Sequence, residues 1–257
     1  MKKSLPYLLL VPALLFTVFV LVYPLVQNLI NSVCDVSMIR GSQGWVGLHN
    51  YEHIFNDTLF WHSFRNTAIY AIVGTLLALL VGLGFALLLN MKLGRISSIV
   101  SFLYTIPWVI SPVVAGFAWK WILNDRFGIV NYWLASAGIV KLGTSWLGDP
   151  GTALFCVMLA RVWQFYPFAM VMFLAGLQTI PQEQYEAAAV DGATMIRRFF
   201  YITLPNLKSV SSVLLVLGVI WSFNDFNMVF VMTRGGPMNS SMVLPVLVRE
   251  LSFVHFD

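Results

Sequence analysis

The chain has 257 residues, of which 59% are hydrophobic and 10% charged, with a formal net charge of +4. A soluble domain carries roughly 25% charged residues, so the deficit points to lipid as the main solvent. The small positive charge is spread along the chain and excludes a nucleic-acid binder, which needs clustered Lys and Arg on a polar face. Cys34 and Cys156, far apart and in or beside apolar runs, suggest neither a zinc site nor a disulfide framework. His49 and His53 sit four residues apart in an aromatic-rich loop with no carboxylate or cysteine pattern around them, which favours packing over metal binding.

A bilayer core of roughly 30 Å takes about 20 apolar residues as helix, and lipid offers backbone groups no other partner. Five segments qualify, at about 7–30, 65–90, 98–123, 152–178 and 209–232. The first follows Met1-Lys2-Lys3-Ser4 and stays apolar from about Leu5 to Ile30. That exceeds the roughly 7 to 15 residues of a signal-peptide core, and no small-x-small site ends it, so a retained anchor is expected. Lys2 and Lys3 place the N-terminus in the cytoplasm. Alternating crossings then put Lys92, Arg95, Arg197, Arg198 and Lys208 inside, and the loops at 31–64 and 124–151 outside. The outer loops carry Arg40, Arg126 and Lys141, so the short, densely basic loops decide the orientation. Trp45, Trp61, Trp133 and Trp146 in the outer loops suit a membrane interface. Pro12, Pro24, Pro107, Pro112 and Pro167 predict kinked or broken spans, and Gly74, Gly82 and Gly84 offer close helix contact.

Between residues 180 and 208 the chain turns polar. Ala187, Ala188 and Val190, then Ala193, Ile196 and Phe200, keep a helical stripe. Pro181-Gln182-Glu183-Gln184 supplies a helix start, Gly192 permits a turn or a close approach, and Pro205 is expected to stop the element. The expectation is a short helix along the membrane surface that presents small residues and a few charges.

Two polar clusters interrupt the last spans. Arg161, Trp163, Gln164 and Tyr166 precede Pro167, and Trp221, Ser222, Asn224, Asp225 and Asn227 lie near the outer half of span five. An acid within a span is costly unless it faces a partner, water or a polar ligand. Sugars need planar hydrogen-bonding groups and aromatic faces, so Trp221, Asn224 and Asp225, with Arg161, Trp163 and Tyr166, are candidate path-lining residues. The same side chains read still more readily as contacts between helices or with a second subunit.

Residues 186–205 read EAAAVDGATMIRRFFYITLP. Their spacing, EAA-x3-G-x9-I-x-L-P, resembles the cytoplasmic coupling loop of permease subunits in bacterial binding-protein-dependent ABC importers. Further similarity lies in Leu10-Val11-Pro12-Ala13, Tyr23-Pro24, Val46-Gly47-Leu48-x-Asn50-Tyr51, Asn66-Thr67, Ile106-Pro107-Trp108 and Trp146-Leu147-Gly148-Asp149-Pro150. Ala175-Gly176-Leu177-Gln178-x-Ile180-Pro181 and Thr233-x-Gly235-Gly236-Pro237 complete it. Together they resemble the type I carbohydrate permeases, in particular the larger maltose or glycerol-phosphate subunit.

The resemblance implies an all-α polytopic fold in the bacterial cytoplasmic membrane. An N-terminal helix and outer loop would occupy 1–60 and the transport core 61–257, with the coupling loop at 180–208. It implies that Glu186, Ala187, Ala188, Asp191, Gly192, Ile202, Leu204 and Pro205 meet an ATPase. It also implies a second homologous permease, two ABC ATPase subunits that hold the ATP and Mg, and an extracytoplasmic solute-binding protein. No cofactor is expected in this chain. Five spans are visible where the family core has a sixth after the segment Arg249 to Asp257, so the sequence reads as a fragment or as a subunit without that helix.

The chain contains no G-x-x-x-x-G-K-[ST] sequence and no nucleophile, base and acid constellation, so it is not expected to be an enzyme. An ion-coupled secondary transporter is the other class of reading. Such proteins show internal repeats and intramembrane ion ligands, whereas Asp225 is nearly alone here. Within importers, amino acids or polyamines are the other cargo, and the Gly235-Gly236-Pro237 segment with the first-span pattern tilts towards a sugar or a polyol phosphate.

Overall fold

The computed structural model describes residues 5–37, 41–91 and 96–255. Lys2, Lys3, Arg40, Lys92 and Arg95, used in the orientation argument, lie outside the described residues. The chain divides into two compact units, residues 1–61 with 248–257, and residues 62–247.

The first unit begins with α1 (Leu9–Asn31), 23 residues of mean hydropathy 2.6 that run through a π-helical turn at Val18–Val22. Leu9, Phe16, Phe19 and Leu29 are all exposed. A helix that is apolar all round and buries no side within its own chain suits a lipid environment. A short hairpin follows, β1 (Cys34–Ser37) antiparallel to β2 (Gly41–Trp45), with an irregular register between Asp35 and Val36. This is a small departure from an all-α chain. Next comes α2 (His49–Asn56). The Asn50 amide donates to the Ser32 and Cys34 carbonyls at 3.0 and 2.9 Å, and the Tyr51 and Ser32 hydroxyls are 2.8 Å apart. The Val46-to-Tyr51 motif is thus a clamp that ties the start of α2 to the end of α1.

In the second unit the long helices α3 (Thr58–Asn90) and α7 (Ala153–Gln178) share a core that includes Ala78, Ala86, Phe165, Ala169, Met170 and Phe173. Their crossing relies on missing side chains. A Cβ on Gly82 would lie 2.8 Å from Ala169 Cβ and 2.9 Å from the Tyr166 carbonyl oxygen, and one on Gly74 3.2 Å from Met158. Nothing lies within 4 Å of such an atom on Gly84, so two of the three glycines mark close contact.

Two spans are not the single helices expected from hydropathy. The segment at 98–123 is α4 (Ile96–Val109) and α5 (Pro112–Ile122), bent by 100°. Pro112 has no N–H, and Ser111 before it is extended, with φ −53° and ψ 136°, so the helical ladder stops and restarts. The Ile110 carbonyl at the break receives the buried Gln164 amide at 3.0 Å. The fifth segment comprises α10 (Lys208–Phe223) and, after a break at Asn224, α11 (Asn227–Met232). The connecting elements are α6 (Ile129–Ser136), in the loop between the third and fourth spans, and α8 (Gln182–Val190) and α9 (Met195–Asn206), between the fourth and fifth. Helix α12 (Leu244–Glu250) and the π-helical turn Leu251–His255 that continues it close the described order. Among the described residues three helices are long and apolar enough to cross a membrane, or up to five when the bent pairs α4–α5 and α9–α10 are each taken as one span.

Candidate functional site

Residues 181–206 form a helix-turn-helix rather than the single surface helix expected. Pro181 is extended and α8 starts directly after it, with Glu183 in its first turn. Gly192 then adopts φ +75°, where a side chain is strained. Its N–H donates to the Ala189 carbonyl at 3.1 Å, and the Ala193 N–H to the Ala188 carbonyl at 2.8 Å, the paired closing bonds of a left-handed helix cap. Thr194 caps α9, accepting from the Arg197 N–H at 3.4 Å.

Glu186, Ala187, Asp191, Gly192, Leu204 and Pro205 are exposed, while Ala188 and Ile202 are partly covered. Val190 and Ile196 are 89% and 70% exposed, so the projected stripe is presented rather than buried in this chain. Pro205 does not stop the helix. It sits inside α9 behind a π turn at Phe199–Thr203, where the Leu204 N–H reaches back to the Phe199 carbonyl. A proline removes one rung of the ladder, and the widened turn accommodates the gap. The chain bends by 64° only after Asn206. Two side-chain bonds lock α8 to α9, between the Tyr185 and Thr203 hydroxyls at 2.9 Å and from the Asn206 amide to Gln184 Oε1 at 3.2 Å.

The candidate path residues separate into groups. Arg161 Nε lies 3.5 Å from Asp225 Oδ2, in the break between α10 and α11. The buried Tyr70 hydroxyl donates to the same oxygen at 2.7 Å, and the Met228 N–H to Oδ1 at 3.2 Å. The Arg161 guanidinium lies 5.0 Å from the centre of the Phe165 ring. Trp221 packs on Phe165 and Phe168, with centroids 5.9 and 5.4 Å apart. Asn224 is exposed and caps α10, its amide donating to the Ile220 carbonyl at 2.8 Å. Trp163 and Tyr166 make their ring contacts elsewhere, with Trp119 at 5.9 Å and Phe85 at 5.3 Å. Tyr70 escaped the sequence reading because a lone tyrosine in an apolar span carries no pattern. Only an unexplained acid 155 residues away hinted that a donor was needed.

Two motifs distant in sequence also meet. Asn66 donates to the Ser240 and Met242 carbonyls at 3.1 and 3.0 Å, and the Leu244 N–H donates to Thr67 Oγ1 at 2.9 Å. Ser241 Oγ bonds Thr233 Oγ1 and the Gly236 carbonyl, both at 2.7 Å.

Apolar spans crossing on small residues, one sharply bent span, a pinned break and an exposed helix-turn-helix at the span ends define a polytopic α-helical transport component. Residues 74–254 match the family described as "Binding-protein-dependent transport system inner membrane component", and the chain belongs to that family. It is a permease subunit of a binding-protein-dependent ABC importer. The trehalose/maltose transport system permease protein MalF of Thermococcus litoralis is 36% identical over 248 residues, covering 96% of this chain and 82% of that protein. The sn-glycerol-3-phosphate transport system permease protein UgpA of Pectobacterium atrosepticum is 34% identical over 256 residues, covering 98% and 85%. The fold also matches a chain in the crystal structure of a bacterial ABC transporter that imports the acidic polysaccharide alginate. The TM-score there is 0.82 at 22% identity, over 98% of this chain and 85% of that one.

Proposed function

We propose that this chain forms half of a translocation path for a sugar or a sugar-like polyol phosphate, together with a second homologous permease. ATP hydrolysis in two separate ABC ATPase subunits, which hold the nucleotide and Mg, drives the path, and an extracytoplasmic solute-binding protein delivers the cargo. The membrane is the bacterial cytoplasmic membrane, with the N-terminus and the helix-turn-helix on the cytoplasmic side. Relatives named for trehalose/maltose and glycerol-phosphate transport support the cargo class.

The observation that carries the coupling role is the rigid, outward-facing build of residues 182–206. Glu186, Ala187 and Ala188 stand on α8, and Asp191 and Gly192 form its cap. Ile202, Leu204 and Pro205 lie on the return helix. Small alanines leave a shallow face for a groove, and Glu186 and Asp191, which form no salt bridge among the described residues, offer charge to a partner. Of the candidate path residues, the exposed Trp221 and Asn224 are best placed to meet cargo. Arg161 and Asp225 hold the break beside them, and Trp163 and Tyr166 back the wall.

Copurification of the ATPase and binding-protein-dependent uptake test this reading. Proline cannot adopt the φ of Gly192 and would lose its N–H bond, so Gly192→Pro should abolish uptake and weaken ATPase retention, and Glu186→Lys should do likewise. Normal uptake with a full ATPase complement in both variants would refute the coupling role.

A further inference from the structure

Behind the helix-turn-helix, where α3 and α7 end at Asn90 and Gln178, the second unit holds an open cavity of about 820 Å3. That is within the roughly 300–1,000 Å3 of small-molecule sites. Leu88, Leu177, Met195 and Phe199 give it an apolar wall, and Arg198 stands within it. The Arg198 Nε is buried without a hydrogen-bond partner, and no carboxylate among the described residues forms a salt bridge with this side chain. The nearby Tyr185 and Thr203 hydroxyls are 2.9 Å apart and satisfy one another.

A guanidinium cannot shed its proton, and its donors fit phosphate oxygens in pairs. Arg198 is half-buried and its Nε has no hydrogen-bond partner among the described residues, so the cavity presents a cationic group beside a wall suited to hydrocarbon. It also lies at the level where spans give way to the polar helix-turn-helix, within reach of both acyl chains and headgroups. A free phosphate would satisfy the guanidinium and leave the wall bare.

We propose that this cavity binds an anionic phospholipid, with acyl chain along Leu88 and Leu177 and phosphate on Arg198. Met195, Arg198 and Phe199 belong to α9, so the lipid braces the return helix of the docking element. That consequence rests on the coupling role proposed above, whereas the binding itself does not.

The test uses the full chain purified with its associated subunits, with retained lipid counted by native mass spectrometry after exposure to dioleoyl phosphatidylglycerol or dioleoyl phosphatidylcholine. The parent should hold phosphatidylglycerol in preference. Loss of a charge-assisted hydrogen-bond pair should lower that occupancy about tenfold in Arg198→Gln, with a smaller loss for phosphatidylcholine, whose choline already offsets its phosphate, so that the preference between the two lipids disappears. Leu88→Trp, which fills the wall and keeps the arginine, should displace both lipids. Glu186→Lys should keep full phosphatidylglycerol occupancy even if the ATPase is lost, so lipid binding and coupling fail separately. Equal retention of the two lipids by the parent, or undiminished phosphatidylglycerol in Arg198→Gln and Leu88→Trp, would overturn the proposal. So would competition by inorganic phosphate at the same concentration, or a photo-cross-linker at position 88 that captures the second permease instead of lipid.

Discussion

Arg161 and Asp225 face each other across 3.5 Å with side chains only 12% and 10% exposed, and Asp225 occupies the gap where the fifth span stops being helical. With Tyr70 and the Met228 N–H also on the carboxylate, the pair pins the α10–α11 break to α7 and α3. Removing one member of such a pair leaves a buried charge, which costs about 3 kcal/mol, whereas replacing both by apolar groups is often neutral. Asp225→Ala should therefore lower the thermal midpoint of the purified protein sharply, and Arg161→Met with Asp225→Leu should restore most of it. A double variant no more stable than the worse single would argue against the pin. Uptake then separates two roles. Restored stability with normal transport makes the pair structural, and restored stability without transport makes it part of the cargo path.

Asn66 is the second long-range tie. Its amide serves the Ser240 and Met242 carbonyls in a turn where Arg234, Met238 and Asn239 all have positive φ, an arrangement that needs external support. Asn66→Leu strands both carbonyls and should cost about 2 kcal/mol. The cost should appear as faster amide exchange or proteolysis confined to residues 235–243. Asn66→Asp, which points a carboxylate at two carbonyl oxygens, should be worse still. Unchanged exchange in that turn for both variants would remove Asn66 from this role.

Much of this was legible in the sequence, for reasons that differ from element to element. Hydropathy located the spans because lipid demands long apolar helices, and the motif spacing located the turn between α8 and α9 because Gly192 takes a positive φ there. Hydropathy is blind to direction, so it ran straight through Ser111 and Asn224, where a proline or a side-chain bond redirects the backbone. Pro205 misled in the opposite sense, since a π turn absorbs it within α9. The motifs at Asn50, Asn66 and Trp146 carried the resemblance without disclosing their work. Each proves to be a hydrogen-bonded knot, Trp146 by donating to Asn131 Oδ1 at 2.7 Å. The Arg161–Asp225 pair was foreshadowed as costly intramembrane charge, but its partner Tyr70 was not, because pairing across 155 residues leaves no local signal.

Gly82 and Gly84 form an internal control for helix packing. A methyl group on Gly82 would press on the Tyr166 carbonyl and the Met170 N–H, both 2.9 Å away and fixed in the α7 backbone, while the same group on Gly84 meets nothing within 4 Å. Overpacking of this kind typically costs 1–3 kcal/mol. Gly82→Ala should therefore lower the thermal midpoint by an amount in that range, and Gly84→Ala should leave it in place or raise it slightly through helix propensity. Equal effects at the two positions would mean that α3 and α7 can separate freely at this crossing.

Gln164 tests why the third span bends. Its buried amide donates to the Ile110 carbonyl at 3.0 Å, the group exposed where α4 gives way to α5. Pro112 prevents a continuous ladder, so the carbonyl needs a donor from another helix, and in a low-dielectric interior an unmet carbonyl costs about 1–3 kcal/mol. Gln164→Leu keeps the volume and removes the donor. The bend should then lose its fixed angle without becoming a straight helix, since Pro112 remains. Spin labels on the exposed Phe102 and Phe117 positions, one on each half, would report it as a broadened distance distribution. Gln164→Glu, a carboxylate facing a carbonyl, should broaden it further, and Pro112→Ala alone should shift the mean towards a longer separation. A narrow, unshifted distribution in all three variants would mean that the 100° bend is held by packing around it and not by this amide and proline.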